Sequence, residues 1–280
     1  MMKLLNGKAL PRIGQGTWFM GEKPAQAQDE ISALRRGVEL GMTLIDTAEM
    51  YGDGASEELI GEAITPFRRE DLFVVSKVYP HNAGGARLER ACERSLDRLG
   101  IDTIDLYLLH WRGSIPLRDT IAGMRRLQQA GKIRYWGVSN LDKYDMQELI
   151  QAGGSDCAAN QVLYHLGSRG VEFDLLPWLQ KKNMPMMAYC PLAQAGTLRR
   201  GLMNSAAVQQ VAASHGWTPA QVLLAFASQP EGVIAIPKAG TPAHTELNAK
   251  MLHERLTPED LALLNAAFPA PTRPEPLDIV

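Results

Sequence analysis

The chain has 280 residues, 45% hydrophobic and 21% charged, an ordinary globular composition with enough length to bury a sizeable core. A net charge of −2 without a basic block argues against nucleic acid or an anionic membrane surface as a partner, and no apolar run approaches the ~20 residues of a membrane span. The N-terminus turns polar too early for a signal peptide, and three cysteines (Cys92, Cys157, Cys190) at unrelated spacings suit a reducing cytoplasm, small buried hydrophobes and no metal site.

Asn6-Gly7, between Met2-Lys3-Leu4-Leu5 and Lys8-Ala9-Leu10, is the pair that a type I′ hairpin turn demands. This N-terminal β-hairpin precedes the first barrel strand and is expected to plug the bottom. Arg12 to Gly16 reads as a strand ending at Thr17-Trp18. Ala27 to Leu40 places Ile31, Leu34, Val38 and Leu40 on one helical face, and Gly41 stops it. The second strand is Thr43 to Asp46, and the helix after it starts at Ser56 as N-cap and runs to Ile64. Leu72 to Lys77 and Ile104 to His110 are the third and fourth strands, with helices Gly85 to Leu99 and Leu117 to Ala130 after them. Ile133 to Val138 ends at Ser139-Asn140, and a helix follows from Lys143 to Gln151. Cys157 to Asn160 is a short strand ending at Gln161, followed by a helix from Asp174 to Lys182. Pro185 to Ala188 ends at Tyr189. Helices Ala206 to His215 and Pro219 to Ser228 come next, the second with Thr218 as N-cap and proline at its first position. Gly232 to Ile236 ends at Pro237-Lys238, and helices Pro242 to Leu252 and Pro258 to Ala267 close the chain. The tail from Pro269 to Pro276 carries four prolines and is expected to be irregular.

Eight strands, each followed by helix, imply a parallel sheet closed into a (β/α)8 TIM barrel, one domain over residues 1–280. In such a barrel the strand ends converge at one face. Here they carry Thr17, Asp46, Lys77, His110, Ser139, Asn140, Gln161, Tyr189 and Lys238. Tyr51 stands one loop beyond Asp46. A tyrosine gives its proton to a carbonyl oxygen readily when its pKa falls from ~10 toward working pH, and a neighbouring ammonium favours the phenolate. Lys77 is the candidate cation, Asp46 its anchor, and His110 a hydrogen-bonding partner for the substrate oxygen. The competing structural reading is a buried Asp–Lys pair with a core histidine.

The motifs Gly16-Thr17-Trp18, Asp46-Thr47-Ala48-Glu49-Met50-Tyr51-Gly52, Ser76-Lys77, Leu109-His110-Trp111, Gly131-Lys132-Ile133-Arg134, Gly137-Val138-Ser139-Asn140, Asn160-Gln161, Ala188-Tyr189-Cys190-Pro191-Leu192 and Ile236-Pro237-Lys238 follow one another in order over almost the whole chain. In this the sequence resembles the aldo-keto reductases, most of all the small bacterial members that reduce methylglyoxal and related aldehydes. The resemblance implies a barrel that binds NADPH without a Rossmann fold. Consistent with that, Gly14-Gln15-Gly16 lacks both the third glycine and the following helix of a dinucleotide fingerprint.

The resemblance also implies roles. Tyr51 is the expected acid, tuned by Lys77 and Asp46, with His110 orienting the carbonyl. Thr17 and Trp18 lie beside cofactor and pocket. Ser139, Asn140 and Gln161 hold the carboxamide, and Tyr189 stacks on the nicotinamide. Leu192 and nearby backbone meet the pyrophosphate. Lys238 meets the 2′-phosphate, with Ala239, Gly240, His244 and Asn248 completing the cofactor set. Trp18, Tyr51, Tyr79, His110 and Trp111 line the substrate pocket. On their own, Ser139-Asn140 also reads as a helix N-cap, and Trp18, Tyr79, Trp111 and Tyr189 as core aromatics. One region departs from the family: where an arginine often stands there is His244, followed by Leu247 and Asn248. Histidine is mostly neutral at pH 7 and offers phosphate less than a bidentate arginine, so NADPH is expected to be preferred with NADH also accepted, more weakly.

The sequence therefore predicts a cytoplasmic NADPH-dependent reductase of small aldehydes and dicarbonyls, a monomer or weak dimer. Two rivals share its features: a redox-sensing nicotinamide-binding subunit, and a Schiff-base aldolase using Lys77.

Overall fold

A computed structural model describes residues 2–3, 9–194 and 196–280. Its first two strands, β1 (Met2–Lys3) and β2 (Ala9–Leu10), pair antiparallel, Met2 opposite Leu10. The expected Asn6-Gly7 turn lies outside the described residues. Eight parallel strands follow: β3 (Gln15–Gly16), β4 (Leu44–Asp46), β5 (Phe73–Val78), β6 (Ile104–Leu109), β7 (Ile133–Ser139), β8 (Asn160–Leu163), β9 (Met186–Tyr189) and β10 (Val233–Ala235). They lie side by side in chain order. Parallel bridges Ile13↔Ala235 and Gly16↔Lys238 join the last strand to the first and close the barrel. Gly16 is required there, because a Cβ would sit 2.6 Å from the Ile236 carbonyl oxygen.

Side chains alternate along a strand, so one set of positions faces the barrel axis and the other faces the helices. Leu44, Phe73, Val75, Leu106, Leu108, Met187, Ile234 and Ile236 pack together as the interior layers. Leu10 of β2 belongs to the same cluster. Ile45, Val74, Val78, Tyr107, Leu109, Trp136 and Val138 take the other parity and pack with the helices in the main core. Cys92 and Cys157 are buried in that core, their thiols pushed up to about 12 by burial, and are inert packing groups.

The expected helices form with small shifts at their ends, among them Ala27–Glu39, Gly85–Leu99, Leu117–Gln129 and Lys143–Gln151. Thr218 caps Pro219–Ala227 as expected, accepting from Gln221 N in a capping box. Three expectations are corrected. Ser56 is not an N-cap: the helix Ala55–Ile64 begins after Gly54, and Ser56 is buried within it. β8 starts at Asn160 instead of ending there, because Asn160 Nδ2 and Gln161 Nε2 both find acceptors inside the fold and polarity does not break the strand. A helix unforeseen in the sequence, Thr197–Met203, lies between β9 and Ala206–His215. It has no side-chain cap, contains Gly201, and buries only Leu202, so it left little periodic signal. The tail beyond Ala267 is irregular, as its prolines required.

Candidate active site

The alternation that builds the interior also builds the site. Asp46 lies two positions past Leu44, Lys77 two past Val75, His110 two past Leu108, Gln161 two past Ala159, Tyr189 two past Met187 and Lys238 two past Ile236. Each therefore faces the axis one layer above the apolar filling, at the C-terminal face where such barrels carry their chemistry.

At the centre stands Lys77, fully buried. Its Nζ donates to Asp46 Oδ2 at 2.8 Å, to the Thr47 carbonyl at 2.8 Å and to Tyr51 Oη at 3.0 Å, using all three protons. The ammonium also lies 4.6 Å from the Tyr51 ring centroid. Asp46 is held from its other side by Gln161 Nε2, 2.7 Å from Oδ1. Beneath them a chain of buried hydroxyls fixes the backbone: Thr47 Oγ1 donates to Ser56 Oγ at 3.0 Å, Ser56 Oγ to Thr17 Oγ1 at 2.8 Å, and Thr17 Oγ1 to the Asp46 carbonyl at 2.8 Å. The sequence marks Thr47 only within a motif and Ser56 only as a helix cap, since a hydroxyl's partner is chosen by the fold.

Burial draws the Lys77 pKa down, but Asp46 and Tyr51 more than offset it and the net direction is up, so the group stays an ammonium. Burial pushes the Asp46 carboxyl up, and Lys77 and Gln161 oppose that only in part. Tyr51 corrects the expected tuning: burial raises its phenol above the ordinary value, and the pull of Lys77 does not cancel this. At neutral pH the phenol thus keeps its proton, and Lys77 is placed to stabilise the phenolate once that proton leaves. His110 is pushed down to about 3, first by burial and then by Lys77. Its imidazole is neutral at working pH. Nδ1 is buried without a partner among the described residues. An unpaired N–H costs more than a bare lone pair, so the ring proton belongs on Nε2, as a donor.

Around this centre the other expected residues divide. Ser139 Oγ donates to the Gln161 carbonyl at 2.9 Å. Asn140, in a left-handed backbone with φ 58°, accepts from Tyr189 Oη at 2.9 Å and donates to the His110 carbonyl at 3.2 Å. Neither caps the next helix, because Asp142 does so with Asp145. Trp18, Tyr51 and Tyr79 are half-buried and Trp111 is exposed, which sets them apart from core aromatics. Glu49 holds Tyr79 in place by accepting its backbone N–H at 2.8 Å. Leu192 is half-buried, with its side chain packed against the core. Lys238 Nζ lies 3.7 Å from the buried carboxylate of Glu30 and 3.0 Å from where a Cβ on Gly240 would stand. Ala239 and the buried Asn248 line one crevice with Gly16 and Pro237, and His244 is exposed on the first turn of helix Pro242–Ala249. Among the described residues no His, Cys, Asp and Glu group could hold a metal ion.

The aldo/keto reductase family model matches residues 12–268. The methylglyoxal reductase YeaE of Escherichia coli K12 is 56% identical, over 100% of this chain and 99% of its own. The glyoxal reductase of Bacillus subtilis is 32% identical over 95% of this chain and 91% of its own. Among solved structures, an aldo/keto reductase from Klebsiella pneumoniae in complex with NADP and acetate superposes with a TM-score of 0.97 at 53% identity, over 100% of this chain and 99% of that one. A second structure of an aldo-keto reductase from that organism, in complex with NADPH, gives 0.97 at 53% identity, over 100% and 98%. The chain belongs to the aldo/keto reductase family.

Proposed function

We propose that this aldo/keto reductase is an NADPH-dependent carbonyl reductase, turning small aldehydes and dicarbonyls of the methylglyoxal type into alcohols. The observation that carries the reading is the contact of one buried ammonium with both Asp46 and Tyr51, 2.8 Å and 3.0 Å away, at the open end of the barrel.

The residues present suit the dinucleotide. Asn140 and Gln161 offer amides for a carboxamide, Tyr189 a half-buried ring for a flat heterocycle, and Lys238 an ammonium for a phosphate. Bound NADPH supplies the hydride. The protein supplies the rest. His110 donates from Nε2 to the carbonyl oxygen and orients it. Tyr51 Oη gives its proton to that oxygen as negative charge develops on it, and Lys77 stabilises the resulting phenolate. Asp46 and Gln161 keep Lys77 on target. An amine that attacks carbonyls must be free of its proton, and Lys77 is held the other way, which disfavours a Schiff-base role.

No helix among the described residues is long and apolar enough to cross a membrane. We read the protein as cytoplasmic, with its three cysteines free, and as acting on a small molecule as a monomer or weak dimer. A panel of methylglyoxal, glyoxal, simple aldehydes and ketones, followed by loss of NADPH absorbance, tests the function. Turnover of the dicarbonyls is expected, and a panel without any NADPH oxidation overturns it.

A further inference from the structure

The backbone from Thr17 to Met20 makes a tight turn, closed by Met20 N–H donating to the Thr17 carbonyl at 2.9 Å. Phe19 occupies its third position at φ 66°, a conformation that such turns ordinarily give to glycine or asparagine. A bulky residue there is a strained choice, and strain that persists points to use. Nor does the core ask for this side chain. Met20 takes the buried place, at 1% exposure, while Phe19 is 57% exposed. The turn is anchored on its far side, where Gly21 N–H donates to Glu30 Oε2 at 3.0 Å.

What the ring does touch is Trp18. The two lie 4.6 Å apart, 17° from parallel. Trp18 in turn faces Tyr51 at 6.4 Å and 30°. From Tyr51 the rings continue to His110 at 5.8 Å, to Trp111 at 4.8 Å and to Tyr79 at 5.9 Å, edge to face. The proton-donating hydroxyl thus sits within an arc of aromatic walls, and the Trp18 wall is half-buried with solvent at its edge. Phe19 and Tyr51 both stack on that indole, and Phe19 is the nearer and more nearly parallel of the two.

We propose that Phe19 is a specificity-determining positioning residue: its ring, presented by a left-handed turn, locks the Trp18 indole so that the pocket grips carbonyl substrates bearing a planar aryl group. This rests on the proposed carbonyl reduction and adds to it a positioning residue outside the motifs quoted above. A methyl group on the carbonyl is too small to depend on the indole plane, whereas a phenyl ring depends on it directly. Methylglyoxal and phenylglyoxal, which differ only in that group, are therefore the matched probes.

The test measures kcat and KM for both with the wild-type enzyme, Phe19→Ala and Phe19→Tyr. Loss of one stacked aromatic partner is worth roughly tenfold. The alanine variant is expected to raise KM for phenylglyoxal by about that factor, with kcat and the methylglyoxal KM within about twofold of wild type. Phe19→Tyr, which keeps the stacking ring, is expected to restore phenylglyoxal. An unchanged ratio of the two KM values in Phe19→Ala overturns the inference, whether both stay constant or both rise together. A wild-type enzyme that turns over methylglyoxal but not phenylglyoxal also overturns it while leaving the function intact. One that turns over neither overturns the function instead.

Discussion

Replacing Lys77 by methionine removes three hydrogen bonds and the one cation that, among the described residues, touches Asp46. Asp46 is 2% exposed and, among the described residues, keeps only Gln161 as a side-chain partner, so its charge becomes a buried charge without a counter-ion. Breaking such a pair costs on the order of 3–5 kcal/mol. For a chain of this length that is roughly a 5–10 °C fall in Tm. The sign of its pH dependence follows from Asp46. Burial already holds its carboxyl above the ordinary value, and loss of Lys77 raises it further. A folded-state pKa above the unfolded one favours folding when the group is protonated. The penalty is therefore smallest below the ordinary carboxylate range and grows as pH rises through the raised folded value. Thermal melts of wild type, Lys77→Met and Lys77→Met/Asp46→Asn at pH 5 and pH 8 check this. The double variant should regain most of the lost Tm without regaining activity. A single variant with an unchanged Tm at both pH values would refute the reasoning.

Other outcomes follow from the same geometry. His110, held neutral down to about pH 3, should add no limb to the kcat/KM profile near the ordinary histidine value of ~6.5, and a limb there that disappears in His110→Gln would contradict the assignment. Because the unfolded chain takes up that proton and the folded one does not, His110 should also make the protein less stable as pH falls below ~6.5, an effect absent from melts of His110→Gln. His244 stands on the surface where the family often has arginine, so His244→Arg should lower the NADPH dissociation constant and leave that of NADH unchanged, measured by fluorescence titration. Equal changes for both cofactors would place His244 away from the 2′-phosphate.

The barrel was legible because its strands end on polar residues after apolar runs, and because parity carries Asp46, Lys77 and His110 to the same face once the sheet is parallel. The same parity explains why strand limits were less legible: Asn160 and Gln161 look like the end of a strand, yet their amides are satisfied by Leu141 and Asp46, far off in sequence. Ser56 looked like a cap because serine before Glu57 usually is one, whereas Gly54 with φ 99° starts the helix and frees Ser56 for Thr17 and Thr47. Proximity of Lys77 to Tyr51 could be read from motifs. The net direction of the tyrosine pKa could not, since it depends on how completely the surroundings exclude water from the phenol. Phe19 was invisible for a related reason. Nothing local marks it until the turn and the stacked indole are seen together.

The claim that organises the site is that Tyr51 supplies the proton. Tyr51→Phe keeps the ring, its contacts with Trp18 and His110, and the Lys77–Asp46 pair, and deletes only the hydroxyl 3.0 Å from Lys77 Nζ. General acid catalysis contributes ~10²–10⁴-fold, so methylglyoxal turnover should fall by at least that order while NADPH binding, followed by fluorescence, stays nearly the same. Turnover within a few-fold of wild type, with NADPH bound equally well, would remove Tyr51 from the mechanism.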